Sequence, residues 1–195
     1  MLDEKFFDNL KFDQFKPAKG RFLISEPFLP DPNFSRTVIL LTEHNSEGSF
    51  GLVVNKQLEI KPEDVLADLI TTPFQLFSGG PVSYNEMYYI HTMGHEIEGS
   101  LEILPALYWG GNFEQISNRV KQNLYDTEQI KFFVGYSGWS PGQLQDEINQ
   151  KSWIVLPADA ATALSADPDM WKSLLKNHGK NFELLSNFPK NPEWN

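Results

Sequence analysis

Short apolar runs separated by turn residues recur along the chain, a pattern that is typical of β-strands. Residues 36–44, RTVILLTEH, and residues 50–56, FGLVVNK, flank the turn-forming segment NSEGS. Because apolar and β-branched runs on either side of an Asn- and Gly-containing turn favour antiparallel pairing, we predict a β-hairpin here. Both arms are apolar almost throughout, so the hairpin should lie at the centre of a sheet.

Further strands are predicted by the same pattern. They cover residues 21–29, 74–82, 86–92, 130–136 and 151–159. The segment SLEILPALYWGG, residues 100–111, predicts one strand followed by a bend. The chain therefore supplies enough strands for a large sheet.

Helical periodicity is clearest over residues 112–124, where Asn112 and Gln115 fit a capping box. Its apolar stripe consists of Phe113, Ile116, Val120 and Leu124. Further helices are predicted over residues 61–70, 141–150 and 160–164. A final helix should be capped by Asp167, with Pro168 in its first turn and Gly179 just past its end.

The start of the chain predicts a short amphipathic helix, because Leu2, Phe6 and Leu10 recur at near-helical spacing. We interpret residues 1–19 as an N-terminal helical extension that packs on the body of the protein. A helix that docks a partner is the alternative.

Hairpins come first along the chain and helices alternate with strands later, which favours the α+β class. We therefore expect a single domain over residues 20–195, with a large mixed, mostly antiparallel sheet flanked by helices. Neither a repeat nor a Gly/Ser linker divides these residues.

Composition narrows the classes of function. Lys and Arg total 16 against 26 Asp and Glu, a formal net charge of −10. Because unspecific nucleic-acid binding needs a positive surface, the charge argues against a nucleic-acid partner. The absence of Cys excludes disulfides, thiolate nucleophiles and Cys-ligated metals. No secretory signal or long apolar span is visible, so we expect a cytoplasmic protein without a membrane partner.

The segment GYSGWSPGQ, residues 135–143, raises the question of a serine nucleophile. Trp139 stands where a nucleophile elbow needs a small residue, and His178 at a helix end is the only later histidine. We therefore interpret Ser137 as a turn residue. Ser140 should cap the following helix, and Gln143 should complete its capping box.

Metal and cofactor motifs are weak. Glu43, His44 and Glu47 lie close together but in a predicted turn, and His91 and His95 lie four apart but after a predicted strand. We expect no metal site at either place. Nucleotide-binding glycine patterns are absent, and we expect no cofactor.

The assembled motifs resemble the YqgE/AlgH family over nearly all of the domain from Gly20. Four collinear stretches carry the resemblance: DPNFSRTVILLTEHNSEGSFGLVVN, FSGGPVSYNEMYYIHT, GYSGWSPGQLQDEI and WIVLPAD. The resemblance implies an α+β domain with a large mixed sheet, a cytoplasmic location and no assigned molecular function. Some members are labelled transcriptional regulators, and the resemblance supplies no catalytic residues.

Among positions that match the family motifs, the glycines and Pro81 have backbone explanations. The other matching positions also include Glu43, His91, Glu147 and Trp153, and six of them form our candidate binding site: Arg36, His44, Asn55, Tyr136, Trp139 and Gln143. We expect a non-enzymatic interaction or regulatory protein that binds a protein or small molecule near the GYSGW and TEHNSEG turns. The alternatives are a hydrolase that uses Ser137 or a His/Glu pair, and a DNA-binding regulator.

Overall fold

The computed structural model describes residues 15–59, 75–122, 124, 126 and 128–188. Its strands are β1 Arg21–Ser25, β2 Val38–Asn45, β3 Gly48–Val53, β4 Leu76–Ser78, β5 Val82–His91, β6 Leu101–Leu104, β7 Leu107–Trp109, β8 Ile130–Trp139 and β9 Trp153–Pro157. Its α-helices are α1 Phe113–Lys121, α2 Gln143–Asn149, α3 Ala160–Leu164, α4 Met170–Asn177 and α5 Lys180–Ser186. The predicted helices over residues 2–15 and 61–70 fall, apart from residue 15, outside the described residues.

The nine described strands form one sheet. Eight of them follow the order β6-β7-β5-β8-β3-β2-β1-β9, and β4 lies off this path. The short strand β4 pairs in parallel with β8, and the other named pairs are antiparallel. The predicted hairpin is confirmed as β2 and β3, and it lies inside the sheet rather than at an edge. The α+β class with a mixed, mostly antiparallel sheet is confirmed.

The sheet curls so strongly that its β6 edge returns towards β1, near the opposite edge. The Lys19 side chain donates to the carbonyl oxygen of Glu102 at 2.9 Å. A Cβ atom on Gly20 would lie 3.0 Å from the carbonyl oxygen of Ile103. Right-handed twist accumulates across many strands, so a wide sheet of this kind curls around one face. We call the enclosed face the inner face.

Helices cover the sheet on both faces. On the inner face, Trp171, Leu175 and Leu185 from α4 and α5 pack into the main core with residues of β1, β2 and β9. On the outer face, α1 covers one half of the sheet and α2 the other, each through a pair of buried apolar residues. Among the described residues the longest helix has nine residues, and none is long and apolar enough to cross a membrane.

One prediction was wrong. Residues 101–109 form the two strands β6 and β7 rather than one strand and a bend. The connection is the two-residue turn Pro105–Ala106, in which Ala106 has a φ of 65°. Tight hairpin turns need positive φ, which usually selects Gly or Asn. The sequence signal was missing because alanine occupies that position.

The predicted starts of two helices were also wrong. Asp167 does not cap α4; the residue before that helix is Asp169, whose backbone N–H bonds to the Asp167 side chain at 2.8 Å. The residue before α2 is Gly142, with a φ of 82°, rather than Ser140. The chain also forms α5 directly after Gly179, a helix that the sequence pattern did not indicate.

Candidate functional site

Ser137 lies within β8 and not in a turn, which corrects the sequence interpretation. Its side chain is fully buried, and the hydroxyl donates to the carbonyl oxygen of Gly79 at 3.2 Å. A Cβ atom on Gly80 would lie 2.3 Å from that hydroxyl oxygen. The glycines of the SGGPV segment therefore let its backbone pass directly over Ser137. A serine packed in this way has no room for a substrate.

Trp139 and Gln143 belong to a hydrogen-bonded network centred on Glu147. The indole nitrogens of Trp139 and Trp153 donate to one Glu147 oxygen at 2.8 and 2.7 Å, and Gln143 donates to the other at 3.0 Å. The Ser140 N–H also donates to the Gln143 side chain at 3.0 Å, which is half of the predicted capping box. Trp139 is only 6% exposed. Trp139 therefore holds α2 against the outer face, and Gln143 supports the Glu147 carboxylate from within the helix.

Arg36 and Asn55 meet at the opposite end of the β2–β3 hairpin. Asn55 accepts from the Val38 N–H and donates to the Arg36 carbonyl oxygen, both at 2.9 Å. The Arg36 guanidinium lies 5.0 Å from the centre of a Trp171 ring and donates to the carbonyl oxygen of Phe188. Burial lowers the pKa of Arg36. Both residues tie the start of β2 to the C-terminal helices.

Lys131 stabilises the same end of the β2–β3 hairpin from within the core. It is 3% exposed, and its ammonium group donates to the carbonyl oxygens of Val54, Ala163 and Ser165 at 2.7, 3.3 and 2.5 Å. Two of these oxygens lie at the C-terminal end of α3, where a cation is favourable. Burial lowers the pKa of Lys131 to about 7. We call Arg36, Asn55 and Lys131 with these partners the pinned end.

His44 and Tyr136 lie near the other end of the hairpin but on different faces. Glu43 pairs with Phe50 and His44 pairs with Ser49 across β2 and β3. Because neighbouring residues of a strand face opposite ways, His44 lies on the outer side, with 2.7 Å between its Nδ1 and the Ser49 hydroxyl. The six predicted residues therefore do not form one site. Roughly 25 Å of extended chain separates Arg36 from His44.

Four partly exposed aromatic rings instead meet on the inner face, one from each of the neighbouring strands β7, β5, β8 and β3. Phe50 stacks on Tyr136 with 4.4 Å between ring centres, and it lies 5.4 Å from Tyr88 and 5.3 Å from Trp109. The sheet curvature brings Trp109 to Phe50 across two intervening strands. We call Phe50, Tyr88, Trp109 and Tyr136 the four-ring cluster.

An open cleft of about 480 Å³ borders the cluster on the hairpin side. Its lining combines Phe50 and Tyr136 with two carboxylates, Glu43 and Glu47, and it contains no Lys or Arg. Within the described part of the chain, the half-buried Glu43 side chain has no hydrogen-bond or ion-pair partner. We call this the acidic cleft. Residues of the TEHNSEG and GYSGW segments line it together.

Gly48 sets the width of this cleft. It has a φ of 135°, and a Cβ atom there would lie 2.3 Å from the carbonyl oxygen of Trp139. Only glycine allows the hairpin turn to approach β8 so closely. The backbone therefore brings the carboxylates of the hairpin beside the aromatic floor.

A second pocket, of about 400 Å³, borders the cluster on its other side. It is lined by Met87, Tyr88, Tyr89, Trp109, Gly110 and Phe113. Met87, Tyr89 and Phe113 belong to the outer face and Tyr88 and Trp109 to the inner face, so the pocket lies at the edge of β5 next to the end of β7. Phe113 is 41% exposed although it begins a helix stripe that is otherwise mostly buried. We call this the apolar pocket. Tyr88 and Trp109 are shared between the pocket and the four-ring cluster.

The histidine pairs considered as ligands do not converge. His91 is fully buried, accepts from the Met93 N–H at 3.2 Å and lies 3.1 Å from the Gly110 carbonyl oxygen. Burial lowers the pKa of His91. His95 packs separately against the edge of Tyr108. No group of three His, Asp or Glu suited to a metal ion occurs in the described ranges.

The family model described as DUF179, AlgH-like, matches residues 22–183. The chain belongs to this AlgH-like family. A UPF0301 protein of Bacteroides thetaiotaomicron is 38% identical over 96% of this chain and 100% of its own length. A UPF0301 protein of Cytophaga hutchinsonii is 36% identical over 91% of this chain and 99% of its own length. The AlgH-like assignment made from the four sequence motifs is thus confirmed.

Solved structures share the fold. The solution structure of the AlgH protein from Pseudomonas aeruginosa has a TM-score of 0.71 and 30% identity, covering 91% of this chain and 98% of that one. Protein DIP2367 from Corynebacterium diphtheriae has a TM-score of 0.77 over 96% of this chain and 100% of its own, at 23% identity. These names assign no reaction or ligand, so function in this AlgH-like protein must be argued from its own geometry.

Sequence reasoning named Tyr136 but not its three ring partners, and it considered Glu43 only as a metal ligand. A signal did exist, because Phe50, Tyr88 and Trp109 each lie two residues from a buried apolar residue, namely Leu52, Ile90 and Leu107. That spacing marks a shared face within a strand. It does not show that the face curls and brings β7 over β3.

Proposed function

We propose that this protein is a non-enzymatic, cytoplasmic interaction or regulatory protein that captures its partner at the acidic cleft. The observation that carries the proposal is Glu43, a half-buried carboxylate without a cation, beside the partly exposed Phe50–Tyr136 stack. Half-burying an unpaired carboxylate costs free energy that a bound ligand can recover. Partly exposed rings and unpaired charge together are typical of a binding surface.

The geometry of Ser137 favours binding over hydrolysis. Catalysis by a serine requires the hydroxyl to reach both a base and a substrate carbon. Here the hydroxyl is buried and donates to a backbone oxygen. The side chain of His44 lies on the outer side of the sheet, opposite to Glu43, and bonds to Ser49; Ser49 lines the cleft, but His44 does not.

The charge of the chain favours a non-nucleic-acid partner. The formal net charge is −10, and the acidic cleft adds two carboxylates at the point of contact. Phosphate backbones are repelled by such a surface, whereas basic groups are attracted to it.

Affinity capture from a lysate of the source bacterium tests the proposal. Three columns would carry the wild-type protein, the double variant Glu43→Gln/Glu47→Gln, and the control Glu128→Gln, which removes an exposed carboxylate outside the cleft. We expect the wild type and the control to retain the same stoichiometric protein or metabolite, and the double variant to lose it. Mass spectrometry reads both classes of molecule.

Equal recovery on all three columns contradicts the proposal, because the cleft carboxylates would then be irrelevant. So does the recovery of nothing on any column. A shared thermal unfolding midpoint for the three proteins is the necessary control for folding.

A further inference from the structure

Resting on the proposed function, we infer that the partner is a polypeptide segment that places a cationic side chain in the acidic cleft and a large apolar side chain in the apolar pocket. The two pockets lie on either side of the four-ring cluster. The inferred ligand crosses that cluster in an extended conformation.

The acidic cleft fits a guanidinium or ammonium group. The face of an aromatic ring attracts a cation, and the stacked Phe50–Tyr136 pair supplies such a face within the cleft. Glu43 supplies an unpaired carboxylate beside it, and the described residues that line the cleft include no Lys or Arg. Arginine matches this combination best, because its planar group stacks on a ring while it donates to a carboxylate.

The apolar pocket fits an aliphatic side chain. Aromatic rings and the Met87 thioether form most of the pocket wall. Gly110 has no side chain and therefore leaves one side of the pocket open. Phe113 remains 41% exposed although the neighbouring helix residues Ile116 and Val120 are fully buried. Covering these surfaces with a leucine-sized side chain removes apolar area from water on both partners.

The spacing between the two pockets follows from the ring contacts. The path from Tyr136 through Phe50 to Trp109 has centre-to-centre steps of 4.4 and 5.3 Å. An extended chain advances about 3.3 Å per residue and alternates its side chains, so residues i and i+4 share one side about 13 Å apart. Because the two pockets lie beyond the ends of the ring path, this spacing fits them. The inferred motif is therefore an arginine and a leucine separated by three residues.

Synthetic peptides test this motif on the intact protein. Fluorescein-labelled peptides of otherwise Gly and Ser residues would carry one Arg and one Leu separated by zero to four residues. Matched peptides would carry citrulline, the neutral analogue of arginine, or Ala in place of Leu. Fluorescence anisotropy would report affinity for the wild type, Glu43→Gln, Phe113→Ser and the control Glu128→Gln.

We expect the tightest binding at a separation of three residues, which places both side chains on one side of the peptide, and about a tenfold loss on changing Arg to citrulline. Glu43→Gln should lose the preference for Arg over citrulline, and Phe113→Ser should lose the preference for Leu over Ala. The affinity of the control should equal that of the wild type. This crossed pattern assigns each side chain to its own pocket.

Equal affinity for all peptides, or no binding at millimolar concentration, overturns the inference. If capture from lysate still depends on the cleft carboxylates, the proposed function stands and the partner has a different chemistry. If capture is also independent of them, both ideas fail.

Discussion

The two ends of the β2–β3 hairpin differ in how completely their polar groups are satisfied. At the pinned end, Asn55 bonds to two backbone groups and Lys131 to three carbonyl oxygens. At the other end, Glu43 is half-buried without a partner beside rings that remain partly exposed. The pinned end is not fully satisfied, because the buried Arg36 Nε lacks a hydrogen-bond partner among the described residues, but the same guanidinium bonds to Phe188 and packs on Trp171. The hairpin therefore anchors the fold at one end and presents a partly exposed, unpaired carboxylate at the other.

The largest effect should come from Lys131→Met at the pinned end. At pH 9, above the folded pKa of about 7, the Lys131 amine is neutral and can donate two hydrogen bonds to the carbonyl oxygens around it. The substitution removes both donors, and we expect a loss of about 3 kcal/mol in the free energy of unfolding. Chemical denaturation at pH 9 measures it. An unchanged free energy of unfolding would show that this interior contact is not structural.

The same residue predicts a pH dependence of stability. Because the pKa of Lys131 is about 7 in the folded protein and about 10.4 in an unfolded chain, the unfolded state binds one more proton between these values. The contribution of Lys131 to stability should therefore rise with pH between the two, by up to about 1.4 kcal/mol per unit. Below the folded pKa, Lys131 is protonated in both states, so its contribution to stability no longer changes with pH. Denaturation of the wild type and Lys131→Met at pH 6, 8 and 9 tests this, and a constant difference contradicts it.

Asn55→Ala should have the next largest effect, a loss of about 2 kcal/mol in the free energy of unfolding. The buried Val38 N–H and the Arg36 carbonyl oxygen would each lose a partner. Peptide affinity should stay unchanged. A loss of peptide affinity with an unchanged free energy of unfolding would show that the peptide binds at the pinned end, which contradicts the proposal.

Glu43→Gln should behave in the opposite way. We expect about a tenfold loss of affinity for the peptide with Arg and Leu separated by three residues, about 1.4 kcal/mol. The free energy of unfolding should change by less than about 0.5 kcal/mol, since no partner is lost. Binding measured by anisotropy and stability measured by denaturation on one preparation check both expectations. A large loss of stability would mean that Glu43 has a structural role.

Tyr136→Phe should have the smallest effect. The stacked ring is retained and only a hydroxyl is removed, so affinity should stay within about twofold of wild type. Tyr136→Leu is the matched variant that removes the ring, and it should weaken binding further. If the Phe variant is as weak as the Leu variant, the hydroxyl rather than the ring face contacts the ligand.

Local patterns predicted much of the fold because the chain is locally consistent. The apolar arms of the hairpin specified its pairing and its central place, and Asn112 marked the start of α1 as predicted. Predictions failed where the backbone has an unusual conformation at a residue that does not signal it. Ala106 makes a tight turn without Gly or Asn. Ser137 continues strand β8 past Gly135, although the φ of Gly135 is 71°.

The candidate site was harder to predict than the fold because it depends on curvature. Motif matching selected Trp139 and Gln143, which the structure uses to bind Glu147, and Asn55, which bridges backbone groups. These residues are distinctive because buried polar networks constrain residue type. The partly exposed rings lie on four strands separated in sequence, and only the curled sheet brings them together.

An NMR titration of the wild-type protein with this Arg–Leu peptide tests the contrast between the two ends most directly. The account predicts that backbone amide signals of Phe50, Tyr88, Trp109 and Gly138 shift with peptide concentration, while those of Val38, Asn55 and Ser165 do not. Shifts confined to the pinned end, or the absence of any shift, would contradict it.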